Sequence, residues 1–172
     1  MNELLIPQVG EYAPYYEKYI KMVKDKNIFQ LLMSQIEEVR SIYEQLGEEK
    51  SNLTYEPGKW TAKEVLGHMM DTDRVMAYRA MCISRGEVQQ LPGFDQDEYV
   101  KNSKFNETSL SVILEEFEMT RYAMVAMFKN FPDDTYPNLG NANQTPVSVR
   151  GLIYIVAGHT IHHLGILKER YI

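Results

Sequence analysis

Residues 61–84 read TAKEVLGHMMDTDRVMAYRAMCIS, and the start of that stretch is marked as the start of a helix. Thr61 with Glu64 three residues on is a capping box: the hydroxyl and the carboxylate satisfy amide donors that the first helical turn leaves without partners. Trp60 before the cap and Val65 after it have the spacing of a hydrophobic staple. Pro57-Gly58 just upstream interrupts whatever precedes. From there Val65, His68, Thr72 and Met76 recur at threes and fours, which places them on one face. Arg85-Gly86 supplies the exit, glycine being the residue that most readily takes the left-handed backbone of a helix end.

The same periodicity runs through three other stretches. Phe29, Leu32, Ile36, Val39, Tyr43 and Leu46 draw one stripe, and Leu110, Ile113, Phe117, Thr120, Met124, Met127 and Phe131 draw another. After the stop at Pro146, the seam Val149, Leu152, Val156, His159, His163, Ile166 draws a last one. Core helices are therefore predicted over about 28–47, 61–84, 109–131 and 148–170. Strict two-residue alternation is absent, so no strand is expected. The connection between the second and third helices is roughly 22 residues long, against the 2–8 usual in bundles, and can cross the bundle. Residues 1–24 are read as a short Tyr-rich preamble packed on it. The expectation is a single all-α domain over residues 1–172, a four-helix bundle with a long connection between helices two and three.

Composition narrows the function. Hydrophobic residues at 44% and charged residues at 24% describe a chain that folds on its own core. A net charge of −6 with no run of Lys and Arg argues against a nucleic-acid partner. No apolar run approaches about 18 residues, so no membrane span is expected, and the opening lacks the pattern of a signal peptide. These point to a cytoplasmic protein. Cys82 is the only cysteine, which excludes an intrachain disulfide and any Cys-rich zinc motif. It follows His68 by 14 residues, ~21 Å along one helix, so the two cannot share an ion.

The histidines carry the chemistry. Of four, three fall at seam positions. His159 and His163 project from one face about one turn apart, the spacing by which a helix gives two ligands to one metal ion. His68 faces inward from another helix. A lone His on an apolar face is ordinarily a hydrogen-bonded core residue. Two stacked in an aliphatic seam each bury a polar ring at ~1–3 kcal/mol unless something satisfies it, and one divalent ion satisfies all three. His162 lies off the seam: a flanking residue, or a ligand if the helix were rotated. Asp71 is one turn from His68, where it can orient an imidazole from behind or pair with Arg74. Asp95, Asp97 and Glu98 sit on the long connection, as turn residues or as a lid.

Lys59-Trp60-Thr61, Glu64-Val65-Leu66, His68 and Asp71 in that order, the linker Leu91-Pro92-Gly93-Phe94-Asp95, and Gly158-His159-Thr160-Ile161-His162-His163-Leu164 together resemble the DinB/YfiT-like superfamily. The resemblance spans roughly Ile28 to Tyr171. It implies a four-helix bundle, commonly a homodimer, with a metal held by one His from the second helix and two from the last, here His68, His159 and His163. The position of His162 is often His in that family without being a ligand. The activities implied are metal-dependent hydrolysis of a small molecule, or transfer of a low-molecular-weight thiol of the bacillithiol or mycothiol kind to an electrophile. All-nitrogen ligation suits Zn, Ni or Fe. A non-enzymatic metal- or ligand-binding helical dimer with a stress-related role is the alternative. No catalytic base stands out.

Overall fold

A computed structural model describes residues 4–172. After a 3-10 turn at Pro14–Tyr16 come α1 (Glu17–Val23), α2 (Ile28–Ser51) and α3 (Ala62–Ser84). Then follow α4 (Gln96–Ser103), α5 (Leu110–Lys129), a hairpin of β1 (Leu139–Ala142) and β2 (Thr145–Ser148), and α6 (Val149–Arg170).

The starts follow their caps. Asn27 accepts from the Gln30 amide at 3.1 Å to open α2. At α3 the capping box closes as expected: Thr61 Oγ1 accepts from Glu64 N at 3.1 Å, and Glu64 Oε2 from Thr61 N at 2.7 Å. Ser148 Oγ accepts from Gly151 N at 2.9 Å to open α6. The first core helix runs on past the expected end at 47, but Gly47 itself has φ 68 and breaks the ladder there, a conformation that glycine tolerates.

Two elements depart from expectation. The long connection holds an extra helix, α4, capped by Asp95, which accepts from the amides of Asp97 and Glu98. The hairpin was not expected either. Its turn is Asn143-Gln144, with φ 51 and 63, a mirror-image turn made without the glycine that usually announces it. Pro146 sits in β2 rather than acting as a bare helix stop. β2 pairs with β1 on one side and with no other strand among the described residues, so the missing N–H is tolerated. Leu91 anchors the connection to this hairpin, donating to Asn141 O at 2.9 Å and accepting from Asn143 N at 3.0 Å.

In the bundle, α2 and α3 each pack against α5 and α6 but touch one another little. The two helices that follow one another in sequence therefore stand at opposite corners, and α3 has α6 as a direct neighbour. The outside of α6 is covered by α1. A methyl group added at Gly158 would lie 2.3 Å from the Tyr19 carbonyl oxygen, so the absence of a side chain there lets α1 settle against α6.

The core is two apolar clusters. One gathers Leu32, Met76, Phe128 and Val156; the other gathers Val39, Leu66, Phe117 and Leu164. Between them on the helices lies a band of buried polar residues: Gln35, Thr72, Asp73, Arg121, His159, Thr160 and His163. The buried face of α5 is Leu110, Ile113, Leu114, Phe117, Arg121, Met124, Val125 and Phe128. Thr120 and Met127, expected on that face, lie at its margin, half-buried, and Arg121 holds the central position. Among the described residues no helix is long and apolar enough to cross a membrane.

Candidate metal centre

His68 projects from α3, and His159 and His163 from α6, the pair of helices packed side by side. The Nε2 atoms of His68 and His159 are 3.0 Å apart, and those of His163 and His159 also 3.0 Å. One ring nitrogen from each residue lies within 4.8 Å of the others, and all three residues are buried. Trp60, the residue before the cap, stands 4.8 Å from the His68 ring, centroid to centroid. Tyr19 of α1 meets the His159 ring edge-on at 5.6 Å. The rings are thus held by packing from both sides.

Burial sets the electrostatics. It pushes His68 down to about 4, with the nearby His162 adding to the shift. His159 and His163 lie well below the ordinary imidazole value, first because they are buried and then because they face other imidazoles. All three are neutral near pH 7, the state in which imidazole offers a lone pair. Three such nitrogens meeting at one point cannot all be satisfied by one another, since each contact needs one donor and one acceptor. An ion with metal–nitrogen bonds of about 2.0–2.1 Å spaces tetrahedral ligand nitrogens by roughly 3.3 Å, close to the 3.0 Å of the two contacts that His159 makes, with the third pair inside 4.8 Å. The donor set therefore fits a divalent ion of the zinc, nickel or iron kind. The Nδ1 atoms of His159 and His163 are buried without a partner, so the oxygen acceptor that usually fixes a ligating imidazole from behind is not supplied by the described residues.

The flanking residues sort as follows. His162 is half-buried, its ring 5.5 Å from Tyr19 and edge-on to His163 at 5.1 Å, outside the converging nitrogens. Asp71 pairs with Arg74 at 3.5 Å, the second of its two expected arrangements. Burial pushes its carboxyl up against the opposing pull of Arg74. Asp95 is the cap of α4. Asp97, one of the lid candidates, lines a cavity of about 290 Å³ that also reaches Trp60, Tyr171 and His163. Cys82 packs at the edge of the first apolar cluster, away from the triad. A second cavity, of about 140 Å³, reaches the triad from the other side and is lined by Tyr19, Thr72, Arg79, Phe94 and His159.

Behind the triad is a network that the helix seams alone do not reveal. Arg121 Nη2 donates to Asp73 Oδ1 at 3.1 Å and to the Thr160 hydroxyl, while Nη1 donates to Gln35 Oε1 at 3.1 Å. Gln35 Nε2 in turn donates to Ala157 O at 2.8 Å. The Arg121–Asp73 pair is wholly buried. One guanidinium thus ties α2, α3, α5 and α6 together, with Thr160 and Asp73 adjacent to His159 and Thr72. The signal in the sequence is an arginine at i+4 from Phe117, inside an apolar stripe.

A family model described as the DinB superfamily matches residues 31–167. Among solved structures, YfiT from Bacillus subtilis, described as "a probable metal-dependent hydrolase with an unusual four-helix bundle topology", is similar with a TM-score of 0.72 at 15% sequence identity. The match covers 94% of this chain and 92% of that one. No match is found among curated proteins.

Proposed function

The chain belongs to the DinB superfamily, and from that membership and the buried triad we propose that it is a metal-dependent enzyme acting on a small molecule, with His68, His159 and His163 holding one divalent ion. Its reaction is hydrolysis or the transfer of a small thiol. The observation that carries this is the convergence of three imidazole nitrogens within 4.8 Å inside the bundle, with one cavity lined by His159 and another by His163. A closed structural site has no use for two approaches.

An ion bound there supplies Lewis acidity, the means by which a water or a thiol gives up its proton near neutral pH. The chain's own residues prepare the place. Burial keeps the three imidazoles unprotonated, and Trp60 and Tyr19 pack against the rings of His68 and His159. Thr72 presents a buried hydroxyl without a partner where the smaller cavity meets His159. Of the described residues Asp97 is the one carboxylate lining the larger cavity. The family resemblance also supports a homodimer, tested by a light-scattering mass of twice 20.0 kDa.

Elemental analysis of tag-free protein tests the proposal. One equivalent of Zn, Ni or Fe per chain is expected, and none in the His68→Ala/His159→Ala double variant. A wild-type protein that takes up no metal after reconstitution would leave three core histidines and no centre.

A further inference from the structure

The bundle contains two deeply buried arginines, and they are treated differently. Arg121 is saturated by Asp73, Gln35 and Thr160. Arg79, 4% exposed, has no carboxylate partner among the described residues. Its Nη2 donates to Pro92 O at 2.6 Å, its Nη1 lies 3.7 Å from Met76 Sδ, and its Nε has no partner. A guanidinium has five N–H donors, and burying its charge without an anion is costly. Burial accordingly pushes Arg79 below its ordinary value, while Tyr16 beside it is pushed up by burial and stays neutral.

Arg79 lines the 140 Å³ cavity that ends at His159, and an adjoining one of about 270 Å³ that shares Tyr15, Tyr16 and Asn143 with it. None of the described acidic residues lines either space. Phe94 packs over the guanidinium at 6.0 Å, and Tyr15 and Tyr19 supply further aromatic wall. The Thr72 hydroxyl, also partnerless, belongs to the wall of the cavity that Arg79 and His159 share.

We propose that this cavity is a carboxylate subsite, in which Arg79 binds the acid group of a small, partly aromatic or apolar substrate and presents the rest of that molecule to His159. The assignment deepens the metal-enzyme proposal and rests on it for the orientation toward the triad. One cation matches one negative charge, and the flat guanidinium fork matches a flat carboxylate. The rings match an apolar body.

Benzoate is the probe, with benzamide as its neutral counterpart and inorganic phosphate as the competing anion. Each is titrated calorimetrically into zinc-loaded and into metal-free protein. Benzoate is expected to bind both forms, benzamide to bind at least about ten-fold more weakly, and Arg79→Gln to lose benzoate by at least about ten-fold. In ¹⁵N-labelled wild-type protein the Arg79 Nε–H resonance, identified by its absence in Arg79→Gln, should shift with benzoate. Should that variant fail to fold, Arg79→Lys identifies the resonance instead. Equal binding of benzamide, unchanged binding in Arg79→Gln, or preference for phosphate would overturn the subsite. Arg79-dependent benzoate binding in a protein that takes up no metal would sustain the subsite and sink the metal centre. A metal-loaded protein indifferent to benzoate would do the reverse.

Discussion

His159 occupies the middle of the triad, its Nε2 within 3.0 Å of both other Nε2 atoms. Replacing it removes the nitrogen that the other two face, so His159→Ala should fall below a tenth of an equivalent of bound metal by elemental analysis. His162→Ala, which removes a ring outside the convergence, should keep about one; equal loss from both would mean that the centre is misassigned. The metal-free protein should also report its imidazoles through pH. Their folded values lie below the ordinary imidazole value of about 6.5. As pH falls from about 6.5 toward 4, the unfolded chain therefore takes up protons that the folded one refuses, and stability drops. His68 alone accounts for up to about 3 kcal/mol of that loss. The urea midpoint should fall across this window in the wild type and less steeply in His68→Leu. A midpoint with the same slope in both would remove the shift. The triad was legible because an i, i+4 pair of polar rings interrupts an aliphatic seam. Arg79 and Arg121 were not, because a charged side chain in a helical pattern is ordinarily assigned to solvent. Nothing local shows that Arg121 finds Asp73 48 residues away.

At the scale of elements, the polar band ties together the helices that carry the three histidines. Arg121→Leu leaves Asp73 a buried, unpaired charge and should cost about 3–5 kcal/mol, read as a shift in the urea midpoint. Adding Asp73→Leu removes the stranded charge and should recover most of the loss. If the double variant is no better than the single, the pair is not what couples these helices. The α1–α6 contact has its own test. Gly158→Ala forces the backbone of Tyr19 away from α6, and overpacking of this kind costs about 1–3 kcal/mol. Because Tyr19 walls His159, metal affinity should weaken as well, whereas Gly165→Ala, which meets nothing within 4 Å, should leave affinity intact. The core helices were legible to within a few residues because their caps and apolar spacings act locally. The hairpin was hidden by a turn whose positive φ values fall on Asn143 and Gln144, and α4 by its shortness and its exposed, polar face.

Across the whole molecule, α2 and α3 stand at opposite corners and α3 lies beside α6, so an ion held by the proposed triad would clamp α3 to α6. The length of the 85–109 connection hints that consecutive helices need not be neighbours, but only the packing shows that α3 lies beside α6. The three histidines of these two helices meet at a point that exists only when both are docked, so the proposed ion would bind the folded bundle and not the unfolded chain. Linkage then fixes the size of the effect: free zinc at 100 times its Kd should add about 2.7 kcal/mol. For a domain of this size that corresponds to a rise of roughly 5–10 °C in Tm. The rise should grow with the logarithm of zinc concentration, vanish in His68→Ala, and persist in His162→Ala. The choice of variants matters, because zinc binding to surface carboxylates would stabilise all of them alike. A Tm that climbs equally in wild type and His68→Ala would therefore show that the ion sits elsewhere, whereas a rise confined to chains with all three histidines would place it between α3 and α6.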